Sequence, residues 1–513
     1  MKSKDKINDS NKGILNSIEK IGNKLPHPAT IFVILCGIII VVSAIMARMG
    51  VSVTYTGLDR SSMEIKEMTS TVVSLLTPEG IRYMFTSAVK NFTSFAPLGT
   101  VLVALLGVGV AEGTGLIGTL LTKLVTSTPK RLITVVVVFA GVMSSIASDA
   151  GYVVLVPLGA IVFLSFGRHP MAGLAAAFAG VSGGYSANLL AGPTDALLAG
   201  ISTEGAKLFS ADAFVGTADN WYFIIVSTFL ITIIGTLVTE KIVEPKLGQY
   251  KGDEKATITQ ITSEQKRGLK FASISALIFI IIMLISLLPN GVLRNPQTNE
   301  IHNTPFMDSI VIIIALLFFI PGVAYGIGCK TIKSDKDVIN LMGKSMSTMG
   351  GYIVLVFFAA QFVQYFSYTN IGIVIAVNGA NFLEGIGFTG IPLIVSFVIL
   401  TAFINLFMGS ASAKWAIMAP VFIPMLMNLG TSPALVQMAY RIGDSSTNII
   451  SPLMSYFALI VAFAEKYDKK SGVGTLITTM IPYSIAFLIG WTVLLIIWYM
   501  FGLPLGPGVG VTI

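Results

Sequence analysis

Apolar runs of about 20 residues, the length of helix that crosses a roughly 30 Å hydrocarbon core, recur along this chain. They lie near 28–48, 95–123, 221–240, 269–289, 309–327, 347–370 and 475–501. Lipid offers a backbone no hydrogen-bond partner, so such segments are constrained to be helices. With 54% hydrophobic and only 12% charged residues, the chain also lacks the ionic surface of a soluble globule, whose charged share is about a quarter. The expected fold class is an all-α polytopic membrane protein. The first apolar run, Pro28 to Met46, is too long for the core of a signal peptide and reads as an uncleaved span behind a polar tail, 1–27. Cys36 and Cys329 do not suggest a disulfide, and three histidines at segment ends, with no HExxH or CxxC, give a metal enzyme little to build on. No cofactor is expected.

Four further apolar blocks are interrupted. Residues 132–167 carry a polar break, SSIASDAG (144–151), and begin and end on basic residues: Lys130 and Arg131 before, Arg168 and His169 after. That pattern predicts a re-entrant hairpin. Residues 388–428 repeat it with a tip at GSASAKW (409–415) and no flanking charge, which predicts entry from the opposite face. Blocks 171–200 and 434–463 have single-span length but contain VSGGYSANLLAGP (181–193) and AYRIGDSSTNIISP (439–452), and they read as broken helices.

Counting from a cytoplasmic N-terminus puts 124–131, 168–170, 241–268, 328–346 and 464–474 inside, and these hold most of the loop Lys and Arg. The outside segments 201–220, 290–308 and 371–387 hold only Lys207 and Arg294. This follows the positive-inside rule, although the long 49–94 loop has mixed charge. The expectation is nine transmembrane helices plus two re-entrant hairpins in a bacterial cytoplasmic membrane, N-terminus inside and C-terminus (503–513) outside. The net charge of +7 is then explained by orientation, and no nucleic-acid partner is expected.

An offset of 263 residues carries Pro157 onto Pro420, Tyr152 onto Trp415, Pro170 onto Pro433 and Gly180 onto Gly443; three inserted residues less brings Asn188 onto Asn448. The expected organisation is an inverted repeat, 28–240 and 269–502, joined by the basic loop 241–268. Opposed copies of hairpin plus broken helix mark secondary transporters, which bind solute and ion where unwound backbone lines a cavity. Arg441 and Asp444 fit that reading. An Arg at the centre of a lone spanning helix costs about 2.5–3.5 kcal/mol on the mildest scale, so a helix unwound near Gly443 would expose carbonyls and amides around Ser445–Asn448, with Arg441 and Asp444 facing one cavity and partly neutralising each other. A structural ion pair pinning two helices is the alternative.

The stretch SASAKWAIMAPVFIPMLMNLGTSPALVQMAYRIGDSSTNIISPLMSYF (410–457) resembles the AbgT family of p-aminobenzoyl-glutamate transporters, as does GNKLPHPATIF (22–32). The resemblance covers essentially the whole chain. It implies a homodimer of subunits with nine spans and two hairpins, moving p-aminobenzoyl-glutamate inward or p-aminobenzoate-like antimetabolites such as sulfonamides outward on an ion gradient. It also implies functional positions at Asp195, Asn405, Ser412, Trp415, Pro433, Arg441 and Asp444.

Each position has a chemical rationale. Arg441 offers a planar fork for the carboxylate of a small anionic aromatic solute. Trp415 could stack on an aminobenzoyl ring or be a core or belt residue; Trp221, Trp491 and Trp498 read as belt residues at the lipid interface. Asp195 and Asp444 are candidates for carrying a proton, or for coordinating sodium with Asn188, Asn448 and backbone carbonyls, which gives a sodium site near Asp195 and Asn448. Asn405 and Ser412 supply neutral hydrogen-bonding groups, and Pro433 marks a helix start. Lys414 either meets a carboxylate or flanks the tip. Asp149 is a weaker candidate, and Glu112 reads as structural. An ion channel would use similar polar tips; an enzyme would need a nucleophile and base that the tips lack.

Overall fold

The computed structural model describes residues 26–59, 64–147, 151–252, 254, 261–295, 304–469 and 471–513. Among them, seven helices are long and apolar enough to cross a membrane: Pro28–Arg48, Pro78–Gly113, Trp221–Leu247, Ser263–Ser286, Ile310–Gly328, Gly350–Tyr368 and Val473–Met500. The expected single span at 95–123 is instead two helices, Ala96–Gly113 and Leu116–Thr126. Gly115 separates them at φ +87°, a left-handed conformation that glycine adopts without a side-chain penalty. Leu116–Thr126 then meets Lys130–Ser144 at 113°.

The all-α expectation needs one correction. Ser52–Asp59 and Glu64–Thr71 form a two-stranded antiparallel ladder with Ser52 opposite Thr71. Alternating β-branched and aromatic residues in SVTYT favour that pairing.

Both interrupted blocks fold as helix–break–helix. In the first, Ile133–Ser144 is followed by a π turn, Gly151–Leu155, running into Val156–Ser165; Asp149 lies outside the described residues. In the second, Gly390–Asn405 and Ala411–Asn428 flank a break at 406–410. That break falls before the expected tip, because the Ser410 hydroxyl caps the second helix by accepting from the Ala413 amide at 3.3 Å. Lys414 and Trp415 therefore sit inside a helix.

Block 171–200 is broken as expected: Pro170–Phe178 continues through a π segment to Gly183, and helix resumes at Pro193–Ala206. Block 434–463 is broken elsewhere than expected. Pro433–Asn448 is continuous through Gly443, and the interruption is at 449–456, before Phe457–Tyr467. Gly443 serves close packing instead of unwinding: a Cβ there would lie 2.4 Å from the Val398 carbonyl oxygen and 2.8 Å from the Ala402 amide nitrogen. Gly180, 263 residues earlier, makes a similar approach, with a Cβ falling 2.4 Å from the Val138 carbonyl oxygen. Each of these glycines seats its helix against the first helix of the preceding interrupted block, the small-residue contact that membrane helices use where no water drives association.

Hydrogen bonds link the connectors into two sets. Arg168 pairs with Glu244, and Arg267 Nε donates to the Gly328 carbonyl at 2.6 Å. The His169 imidazole packs against Tyr250; burial pushes it below its ordinary value, against the opposite pull of Glu244 and Asp468. On the other set of connectors, Val73 donates to the Thr369 carbonyl, Tyr222 to Leu505 and Ile513 to Gly430. Trp221 and Trp498 donate to the carbonyls of Leu189 and Pro504. Trp491 departs from the belt expectation: it is fully buried, and its Nε1 donates to the Ser227 hydroxyl at 2.7 Å, because an indole N–H deep in a bundle must find an acceptor.

Candidate functional site

Helix Pro433–Asn448 is described as buried along almost its whole length, and it carries both suspected charges. They do not pair with each other. Arg441 Nη1 donates to Asp195 Oδ1 at 2.6 Å, bridging to the start of helix Pro193–Ala206. Asp444 Oδ1 receives the Lys414 ammonium at 2.5 Å, from the first turn of Ala411–Asn428. An i,i+3 spacing puts Arg441 and Asp444 on neighbouring surface of one helix, but each faces an opposite charge on a different segment. All four side chains are at most 7% exposed. Burial of this kind is tolerable only when the charges are paired and further hydrogen-bonded.

The further bonds are present. Asp195 Oδ2 accepts the Gly192 amide at 2.7 Å, the N-terminal arrangement of an acidic residue three positions into a helix. Asn405 accepts from Lys414 through Oδ1, while its Nδ2 donates to the Asp444 carbonyl (2.6 Å), Thr447 Oγ1 (2.9 Å) and Asn448 Oδ1 (2.8 Å). Three polar atoms nearby have no hydrogen-bond partner although buried: Arg441 Nε, Ser445 Oγ and Ser186 Oγ. Unsatisfied buried polar groups are costly and rare, so each of these atoms calls for a partner.

A cavity of about 790 Å³ opens beside this network. Its wall includes Tyr152, Tyr185 and Tyr456, Ser410 and Ser412 at the second break, Thr194 next to Asp195, and Asn448. Glu112 and Lys344 line it as well. Volume and lining, aromatic faces with a few polar groups, suit a drug-sized organic solute. Tyr152 stacks on Tyr456 with ring centroids 4.6 Å apart, and Tyr185 bonds Thr194 at 3.2 Å.

The structure thus gathers Asp195, Asn405, Arg441, Asp444 and Asn448 into one polar core and puts Ser412 on the cavity wall. Pro433 opens the helix that carries the charges. Asn188 stands apart from them: it donates to Ser145 Oγ at 2.9 Å and accepts the Leu190 amide. Asp195 and Asn448, expected to share a sodium site, spend their oxygens in separate networks, on Arg441 and Gly192 in one case and on Asn405 in the other. Among the described residues no cluster of three His, Cys, Asp or Glu fit for a metal ion is present. Trp415 is fully buried behind the wall, stacked on Tyr440 at 4.3 Å, with Nε1 donating to Ser202 Oγ at 2.9 Å and that hydroxyl to Gln437 at 2.6 Å.

Sequence reasoning passed over Tyr185, Tyr456, Ser202, Gln437 and Lys344, and weighed Lys414 too lightly. The one available signal was Lys414 itself, a lysine within an apolar run. For Trp415→Phe, which keeps the stack and loses the bond to Ser202, the expected stability loss is about 1 kcal/mol with affinity for an aromatic solute unchanged. Thermal unfolding and a binding isotherm check this; a fall in affinity without a fall in Tm would put the indole in contact with solute.

Comparison with known proteins agrees with this geometry. Residues 13–513 match the AbgT putative transporter family. The chain is 41% identical over 493 residues, 96% of both chains, to the p-aminobenzoyl-glutamate transport protein of Escherichia coli K12. Its fold superposes on the YdaH transporter of Alcanivorax borkumensis with a TM-score of 0.89 at 47% identity, covering 94% of this chain and all of that one. MtrF of Neisseria gonorrhoeae, described as illuminating a class of antimetabolite efflux pumps, gives 0.91 at 50% identity, covering 97% of this chain and all of MtrF. A helical membrane fold, two broken-helix units converging on paired buried charges, and a match along almost the full length place this chain in the AbgT transporter family, whose members are transporters and not enzymes.

Proposed function

We propose that this protein is a secondary active transporter that moves p-aminobenzoyl-glutamate or a related aromatic carboxylate across a bacterial cytoplasmic membrane on a proton or sodium gradient. The observation that carries the reading is the 41% identity over 96% of the chain to the Escherichia coli protein of that name; the solute-sized cavity, whose wall includes Thr194 next to Asp195, supports it. The proposed arrangement is a homodimer embedded in lipid, each subunit with nine spans and two re-entrant hairpins in inverted repeat, N-terminus inside. The matched glycines Gly180 and Gly443, and the pairing of connectors by charge side, favour it. Lys344 on the cavity wall belongs to a connector assigned to the cytoplasm, so the cavity faces inward. A solute carboxylate entering there competes with Asp195 for Arg441, using the unpartnered Nε as the second tine of the fork. Asp195, once released, is free to take up the coupling cation.

The likeness to MtrF favours a second reading, export of p-aminobenzoate-like antimetabolites such as sulfonamides. Reconstitution separates the two. Labelled p-aminobenzoyl-glutamate and a sulfonamide are offered to proteoliposomes under separately imposed proton and sodium gradients. Accumulation above equilibrium on one gradient supports a carrier, and its polarity gives the direction. Ohmic solute-independent current in place of accumulation would indicate a channel.

A further inference from the structure

The solute reading gives a carboxylate its partner in Arg441 and says nothing of the aromatic ring that comes with it. Two of the three tyrosines on the cavity wall belong to a ring cluster that joins distant parts of the chain. Tyr152 lies in the π turn Gly151–Leu155 of the first interrupted block, and Tyr456 lies in the interruption at 449–456. Their rings are nearly parallel, 11° apart in plane, with centroids at 4.6 Å. Tyr152 meets Phe178 at 6.5 Å, and Phe178 meets Phe457, next in sequence to Tyr456, at 6.2 Å. Four rings therefore close on one another through one stacked and two edge-to-face contacts, the arrangements that the ring quadrupole favours. Phe178 is fully buried, which anchors the cluster in the bundle.

The outermost ring of the cluster is Tyr456. Tyr152 is only 6% exposed, whereas Tyr456 is half-buried. Turns brace the backbone on both sides of it: the Met454 amide donates to the Ser451 carbonyl at 3.2 Å, and the Phe457 amide to the Met454 carbonyl at 2.9 Å. One face of Tyr456 is covered by Tyr152, so what it gives the cavity is its opposite face and its edge. A ring already held in place loses little freedom when a second planar group settles on it. We propose that Tyr456, backed by Tyr152, is the stacking surface for the aromatic ring of the solute and sets the preference of the site for aromatic over saturated carboxylates. This deepens the transporter reading and rests on it. Tyr185 links the stacking surface to the charged core. It shares the cavity wall, bonds Thr194 at 3.2 Å and feels the charges of Asp444, Arg441 and Asp195.

The test changes the ring on both sides of the contact. Binding of p-aminobenzoyl-glutamate and of its ring-saturated analogue, 4-aminocyclohexanecarbonyl-glutamate, is titrated calorimetrically on the full chain in detergent, with a melting curve for each variant. The wild type is expected to favour the aromatic solute. Tyr456→Leu is expected to cut that preference about three- to tenfold, the worth of one ring pair, and Tyr456→Phe to keep it. Tyr456→Trp, with a larger face, is expected to raise the preference, and it is read even when Tyr456→Leu does not fold. Equal losses for both solutes in Tyr456→Leu would make the ring pair a tie between two segments and overturn the proposal. So would a Tyr456→Trp protein with wild-type preference. A wild type that binds both solutes equally overturns it as well and leaves the transporter reading standing. A wild type that binds neither sinks the aromatic-carboxylate reading, and the proposal falls with it.

Discussion

Arg441→Ala should abolish solute movement and also weaken the fold. Removing the guanidinium strands Asp195 as an unpaired buried carboxylate, since the ion pair at 2.6 Å is its only salt bridge among the described residues. Breaking one side of a buried pair costs roughly 3–5 kcal/mol, a large part of any membrane domain's margin, so the variant's Tm in detergent should fall well below that of the wild type. Loss of transport alone would then be ambiguous. The informative protein is Asp195→Asn/Arg441→Gln, in which both charges are replaced by groups that can hydrogen-bond to each other. Its Tm should return most of the way, because no lone charge remains, while binding of a carboxylate solute stays lost. Recovery of both stability and transport in the double variant would show the pair to be an architectural clamp and sink the assignment of Arg441 to the solute.

The second large effect concerns packing. Gly443→Val inserts a branched side chain where even a Cβ meets the backbone of helix Gly390–Asn405 at 2.4 Å. The obstacles are the Val398 carbonyl, the Ala402 amide and Thr401 Cβ of one helix, none of them the far end of a flexible side chain, so the two helices must separate. Overpacking of this kind costs about 1–3 kcal/mol where cores can adjust, and the upper end or beyond is expected here. Separation also pulls Asn405 away from Asp444, Thr447 and Asn448, whose bonds span the same interface. Folded yield by size-exclusion chromatography and a melting curve read the result. Gly443→Val with wild-type stability would mean that the close approach does not hold the two helices together.

Much of this arrangement was legible in the sequence because lipid makes helix length and loop charge informative. The apolar runs gave six of the seven long helices closely, and Gly, Ser and Asn within the apolar blocks marked the two helix–break–helix blocks and the break after Gly183. What the sequence concealed was partnership across space. Arg441 and Asp444, three residues apart, look like a pair; the bundle instead gives each a partner from a distant segment, Asp195 and Lys414. A glycine inside a polar stretch looks like a point of unwinding, yet Gly443 is small because another helix lies against it. Trp415 reads as a ring for stacking on solute, but the stacking partner is Tyr440 of its own chain. In each case the residue type was informative and its neighbour was not, since neighbours depend on which faces of helices meet. The strands at 52–71 were hidden for a simpler reason: hydropathy windows tuned to spans pass over an eight-residue ladder.

The four ionised groups at the centre, Arg441, Lys414, Asp195 and Asp444, sum to zero. A unit charge crossing the full membrane field exchanges about 2.3 kcal/mol per 100 mV, so an unbalanced cluster would make every reorientation of the empty protein answer to voltage. This cluster contributes no such gating charge. In the proposed transport cycle, a cluster that reorients as a balanced unit adds no net charge movement of its own, so voltage dependence is expected to come from the cargo and its coupling ion.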